Sequence, residues 1–498
     1  MKNKTLAIFS KNMKNALFKK DSGNVARVMG IGLPCLFAFY FVVHHFYPGA
    51  MSPDSFNILS QVRTNNISDA FPIFNIFLWR LLEQYTVQGP AGILIFNVLL
   101  YYAGVFMVFY SLAKKHLILS SIACALFVFF PPIIGVLGAV WSDITLSSLL
   151  IFLFGLSVFS GFRARSDTLC KLAKVFVAIF GLVIAFAAIS TRHNAAAAVI
   201  PIVFLLFYSL LSNKTYTSLF ELFRRLFLLF LMATVVTMGL FVASKYINNK
   251  YTVEKKHFWR VTLLFDIAGI SCKTKTDYLS AILESGQGLD NICGLYTPKS
   301  YIPLVVGEQI HELDPTIRFK GVPLRIRFGG DEINEILFNH WIRVIIDNPM
   351  AYFSHRADFF LALTTKRFGA LWAPVFDAIY SNDFGILVRD KVDSILFDEI
   401  RSLSINSMIF VPIVYFILAS AVFLISFVAI LKKNSHCNVR LVIFALSASL
   451  SGLFHLLGVS VFAVSSDFRY SHWLIVSALI SVVLLLFSFF VESQNDSK

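Results

Sequence analysis

Four short segments carry ionisable side chains where a membrane-bound enzyme could use them. Asp54 lies in Met51-Ser-Pro-Asp-Ser-Phe56, and Asp143 follows Trp141-Ser142. Arg192 and His193 lie in Thr191-Arg-His-Asn194, and Arg469 and Tyr470 in Asp467-Phe-Arg-Tyr-Ser-His472. Each segment borders an apolar stretch, where an ionisable group is costly to place. Two carboxylates, Asp54 and Asp143, converging on one cavity would suit acid–base or metal-assisted group transfer. Arg192 and Arg469 could grip a phosphate through the planar guanidinium fork, with His193 and Tyr470 beside them. Structural roles compete at every position. Asp54 or Ser52 could cap a helix opened by Pro53. Asp143 starts an apolar run, where the helix dipole alone favours a carboxylate. Asp69, in Ser68-Asp-Ala-Phe-Pro72, reads as a helix cap before it reads as a catalyst. Asp467 and Arg469 could form a surface pair beside an interfacial belt of Tyr470 and Trp473.

The elements that must position these residues are membrane spans. The chain has 498 residues, 57% hydrophobic and 14% charged, where soluble domains carry about 25% charged residues. Stretches near 28–46, 92–112, 117–136, 144–160, 172–189, 195–212, 226–247, 406–431, 441–463 and 473–491 are each of roughly the 20 residues that cross a bilayer as helix. Lys and Arg alternate between links: Lys114 and Lys115, then Arg163, Arg165 and Lys171, then Lys214, Arg224 and Arg225, then Lys432, Lys433 and Arg440. The opposite short links hold only Arg192 and Arg469. With the basic N-terminus, this bias predicts that both termini are cytoplasmic. It also accounts for the net charge of +14 without nucleic acid, for which no basic-aromatic module is present. The basic start is too long for a cleaved signal, so the first span is expected to stay as an anchor.

The expected fold is therefore an all-α polytopic membrane protein of about ten transmembrane helices with a mostly helical extracytoplasmic domain. Its parts are a basic N-terminus (1–27), an N-terminal module of about seven helices (28–247) containing a first outer loop (47–91), a large outer domain (248–405), a C-terminal module of about three helices (406–491) and a tail (492–498). Within the first loop, Asn75–Thr86 reads as a membrane-lying amphipathic helix whose apolar face is Phe77, Leu78, Leu81 and Leu82. Within the large domain, Pro315, Gly329-Gly330 and Asn348-Pro349 mark turns. The stretch Tyr352–Trp372 reads as an interfacial helix, because His355, Arg356, Asp358, Lys366 and Arg367 are too many charges for lipid. Cys35 and Cys124 fall in apolar spans, Cys170 and Cys437 at cytoplasmic ends. Cys272 and Cys293 share the outer domain, where an oxidising compartment would let them pair. There is no Walker loop, no GxGxxG, no GxSxG and no zinc motif, which disfavours ATP-driven transport and serine hydrolysis.

This layout resembles the GT-C superfamily of multispanning glycosyltransferases. The resemblance rests on the early acidic first loop, the second acidic link and the large outer domain. Locally it rests on Pro131-Pro132, Trp141-Ser-Asp143, Arg192-His-Asn194, Phe265-Asp-Ile-Ala-Gly-Ile-Ser271 and Asp467-Phe-Arg-Tyr470. It implies a bacterial inner-membrane enzyme that moves a sugar from a polyprenyl-phosphate carrier to a glycan, lipid or protein acceptor. Asp54 would then be the base, and Asp143 would orient the acceptor or a metal. Arg192, His193, Arg469 and Tyr470 would bind the donor phosphate. Many members pair acidic residues in the first loop, whereas Asp54 is followed by Ser55, which leaves a divalent metal open. A transporter or flippase, or a polymerase or ligase of lipid-linked glycans, is the competing reading. Mostly clean spans with charges gathered at one face favour chemistry over passage through the bilayer.

Overall fold

The computed structural model describes residues 2–164, 171–211, 218–280, 282–284, 287–306, 322–326, 332–432 and 437–490. Arg165, Cys170, Lys214, Pro315, Gly329, Gly330, Lys433 and the tail 492–498 lie outside them. The described chain is helical, with isolated β-bridges between loops and no extended strand.

The first helix, α1 (Lys2–Phe46), leads into α2 (Pro53–Thr64) and α3 (Ile73–Tyr85), which lie in the first loop. Then come α4 (Ala91–Leu112), α5 (Leu117–Val128), α6 (Pro131–Leu137), α7 (Ser142–Ala164), α8 (Lys171–Ile189), α9 (Ala196–Leu211) and α10 (Leu219–Tyr251). The following region holds α11 (Trp259–Thr274), α12 (Leu289–Leu295), α13 (Ile302–Val306), α14 (Glu332–Asp347), α15 (Pro349–Thr364) and α16 (Ile395–Asn406). The chain returns to the bundle as α17 (Pro412–Leu431), α18 (Val439–Phe462) and α19 (His472–Phe490).

Among the described residues, eight helices are long and apolar enough to cross a membrane, or nine if α5 and α6 form one broken span. The chain is a multi-pass, all-α membrane protein. The break follows from Pro131 and Pro132, which fit only the first turn of a helix; α5 and α6 meet at 50°. The expected sixth span, α9, has 16 residues and so reaches only about 24 Å. Nearly all of it is buried among other helices, so it need not match the full lipid thickness. The outer helices α8 and α10 instead expose apolar stripes such as Val175, Phe176 and Ile179, and Leu228, Leu231 and Val235, as lipid contact requires.

Close packing fixes the centre. A Cβ on Gly104 of α4 would lie 2.5 Å from the Ile151 carbonyl oxygen of α7, and Gly155 stands against the Gly104 carbonyl. Small residues at such crossings let helix backbones touch. The C-terminus of α1 is capped from afar: Arg389 donates to the carbonyls of His45, Phe46 and Tyr47 at 3.4, 3.3 and 3.1 Å. A guanidinium there meets the unpaired acceptors and the negative end of the dipole.

One end of the bundle is stitched by main-chain hydrogen bonds between distant links. Ala50 donates to Gly138 (3.1 Å) and Val140 to Ala50 (2.9 Å). Met51 donates to Ala378 (2.9 Å), Phe376 to Gly135 (2.8 Å) and Phe468 to Trp372 (3.0 Å). The segment 372–380 is thus a strap across three links. Asn75 of α3 adds a bond from its side-chain amide to the Thr191 carbonyl at 2.9 Å.

Three local expectations change. Helix α3 buries Ile73, Ile76 and Trp79, while Leu81 of the expected apolar face is exposed; the α2 and α10 neighbours, absent from a single-helix reading, choose the face. Asp69 does not cap α3, whose N-cap is Pro72; its carboxylate accepts from the backbone of Lys256 (2.7 Å) and His257 (3.2 Å). The stretch 352–372 is helical only to Thr364, and its His355 and Arg356 are buried within the protein. Their charge is met by the buried Asp266, which takes His355 Nε2 at 3.1 Å, Arg356 at 2.7 Å and Trp341 Nε1 at 3.0 Å. The Tyr296 hydroxyl lies 2.7 Å from His355 Nδ1, and burial holds that imidazole below its ordinary pKa. A disulfide joins Cys272 to Cys293, tying α11 to α12.

Candidate functional site

Asp54, Asp143, Arg192 and Arg469 come together at the stitched end. Asp54 enters through α2, where Ser52 is the N-cap and Pro53 opens the helix. Asp54 is therefore a first-turn residue rather than the cap. Ser52 is pinned by the indole of Trp141, which donates to its hydroxyl at 2.8 Å. Ser55 donates to the Val140 carbonyl at 2.8 Å. These two bonds fasten the start of α2 to the residues that precede α7, so Asp54 and Asp143 are held as neighbours.

Arg469 is the hub. Its Nη2 lies 2.7 Å from Asp54 and 2.9 Å from Asp467, and its Nε lies 3.7 Å from Asp143 Oδ2. Arg192 Nη1 donates to the same Asp143 oxygen at 2.5 Å. Both guanidiniums lie over aromatic rings: Arg469 over Trp141 and Arg192 over Tyr470, each at 4.7 Å. Ring faces attract cations more strongly where water is scarce. Burial alone would push Arg192 down, but the Asp143 carboxylate and Tyr470 raise it above its ordinary pKa, so it stays charged. Burial raises the Asp467 carboxyl, and the nearby Asp54 and Asp143 raise it further against the pull of Arg469. Three carboxyl groups thus share two guanidiniums.

The members differ in access. Asp143 is 3% exposed and Arg469 12%, while Asp54 is 47% exposed. Asp143 Oδ1 and Arg469 Nε are buried without a hydrogen bond. The site therefore has one carboxylate open to a ligand above an acceptor and a donor that the protein leaves unmet. Comparison with protein-family models, with curated proteins and with solved structures gives no match to this chain.

The remaining expected residues divide. Tyr470 is buried against both guanidiniums, with Arg469 at 5.3 Å from its ring. His193 is exposed and has no hydrogen bond to the cluster. Asp467 and Arg469 do pair, at 2.9 Å, but as largely covered members of the site rather than an open surface pair. Among the described residues, no three His, Cys, Asp or Glu side chains form a metal-holding group. The cluster's carboxylates are bridged by guanidiniums, so a divalent ion does not fit this donor arrangement. Trp141, Ser52 and Tyr301 also belong to the site; the sequence offered Ser52 only as a helix cap, a role it fills, and gave Trp141 and Tyr301 no role in the chemistry. Trp141 had a signal, since it directly precedes Ser142-Asp143. Tyr301 had none; it arrives through a main-chain bond to Val464 (2.9 Å). Burial first, then the nearby Asp54, Tyr470 and Asp467, push its hydroxyl up to about 12.

Proposed function

We propose that the chain is a membrane glycosyltransferase that moves a sugar from a polyprenyl-phosphate carrier to a hydroxyl acceptor outside the cytoplasm. The observation that carries this reading is the half-exposed Asp54 joined through Arg469 to the buried Asp143–Arg192 pair. The basic links at the other end of the bundle and the Cys272–Cys293 disulfide support an extracytoplasmic placement of this site.

The chemistry runs as a single displacement. Asp54 accepts the acceptor hydroxyl proton as the acceptor oxygen bonds to the anomeric carbon. The bond from that carbon to the phosphate oxygen breaks, and its electron pair leaves with the polyprenyl phosphate. The configuration inverts. Charge grows on the departing oxygen, and Arg469 and Arg192 are already fixed by aromatic faces to meet it. Asp143 orients both guanidiniums through its Oδ2. Donor phosphate competes with Asp54 for Arg469, so donor binding itself releases the base.

The test uses membranes carrying the full chain and a panel of radiolabelled polyprenyl-phosphate sugars. The reading expects label in a non-donor product that depends on the chain. If no donor supports transfer while chain-dependent flipping of a lipid-linked glycan is measured, the transporter reading replaces it.

A further inference from the structure

Directly below the ionic cluster, the bundle buries polar groups that the proposed chemistry does not use. His455 on α18 is 2% exposed, His472 at the start of α19 and Tyr101 on α4 are 0%, and Asn97 is 1%. Both ring nitrogens of each histidine, the Tyr101 hydroxyl and both amide atoms of Asn97 lack a hydrogen bond to the protein. The His472 ring faces the Ile133 main chain without acceptable hydrogen-bond geometry. The His472 and Tyr101 rings are neighbours, with centres 6.2 Å apart. His455 lies on the adjacent helix, one turn after Ser451, which accepts at 2.9 Å from Trp473, the residue next to His472, and its imidazole feels the charges of Asp143 and Arg192. Asn97 is one turn before Tyr101 on α4.

Many buried polar side chains of this bundle are met, and the unmet ones outside this group and the ionic cluster are chiefly lone hydroxyls such as Ser120, Ser148, Ser209, Thr237 and Ser426. Ser451 donates to the Ala198 carbonyl at 2.6 Å, Trp473 donates to Ser451 at 2.9 Å, and Ser190 donates to Ser244 at 2.8 Å. An unmet imidazole or amide in a membrane interior is costly, and such groups in proteins are characteristically met by bound water. We infer that His455, His472, Tyr101 and Asn97 line an internal water-binding site beneath the Asp143–Arg192 pair. Water there meets both donors and acceptors, since a neutral imidazole offers one of each. It extends the ionic site into the bundle and gives Asp143 and Arg192 a polarisable floor. The inference does not depend on the glycosyltransferase reading.

Radiolytic footprinting of the full chain in lipid nanodiscs tests it, because radicals formed from bound water oxidise the side chains that touch it. The built-in control is His355, which is 0% exposed but hydrogen-bonded to Asp266 and Tyr296. Oxidation of His455, His472 and Tyr101 is expected to run several-fold faster than that of His355, and to persist when a radical scavenger is added to the bulk. Rates no higher than that of His355 would overturn the inference. So would labelling that the scavenger abolishes, because the radicals would then have come from outside.

Discussion

At the residue scale, Asp143 is the anchor of the charge arrangement, since both guanidiniums reach the same carboxylate oxygen. Asp143→Asn leaves two mostly buried arginines short of a counter-charge, and removing one partner of a buried pair costs about 3 kcal/mol or more. The variant is expected to lose both activity and stability, the latter read as a lowered thermal midpoint in detergent. An unchanged midpoint would mean that Asp143 serves chemistry alone. Asp467 gives a pH signature. Its folded pKa is raised, so its stabilising contribution is full below the ordinary carboxylate pKa and is lost as pH rises through the raised value. Asp467→Asn removes that dependence. The thermal midpoint of the variant is therefore expected to exceed that of the wild type near neutrality, with the gap closing on acidification. The individual residues were legible because ionisable groups at the edges of apolar runs are few. Their pairing was not: Asp54 and Arg469 are 415 residues apart, and no local pattern reports such a contact.

At the element scale, the site depends on where α7 begins, and α7 is held by its contact with α4. Gly104→Val would drive a side chain into the Ile151 carbonyl. Overpacking of this kind costs about 1–3 kcal/mol, and the displaced helix carries Asp143. Reduced transfer and a lowered thermal midpoint are expected together. A variant that loses neither would show that the two helices can separate freely. Helix positions were well marked by apolar length and by Pro131-Pro132. The faces of the helices were not, as α3 shows: a face-by-face reading chose Leu81, whereas Trp79 is buried, with its indole donating to Gly89 at 3.0 Å. The charges of 352–372 rightly argued against a membrane span, but they did not show that His355 and Arg356 are buried against Asp266, about ninety residues earlier.

At the scale of the whole molecule, the helices gather four separate segments at one end and cover them with the region between α10 and α17. Alternating basic links predict that this end lies outside the cytoplasm. An alkaline phosphatase fused after Gly385, in the covering region, is expected to be active, and one fused after Lys114 inactive; the reverse pattern would invert the topology. The bundle class was legible from composition, because lipid demands long apolar helices whatever the function. The strap of residues 372–380 was not, since its bonds to Gly135 and Met51 are main-chain bonds that leave little trace in residue type. In the proposed reaction Asp54 is the base of a sugar transfer. The direct measurement compares transfer from the active polyprenyl-phosphate sugar by wild type and Asp54→Asn in membranes at matched expression. Transfer is expected to fall by about a hundredfold or more, the scale of a lost general base, while the thermal midpoint stays nearly unchanged because Asp54 is half exposed. Transfer undiminished in the variant would contradict that role.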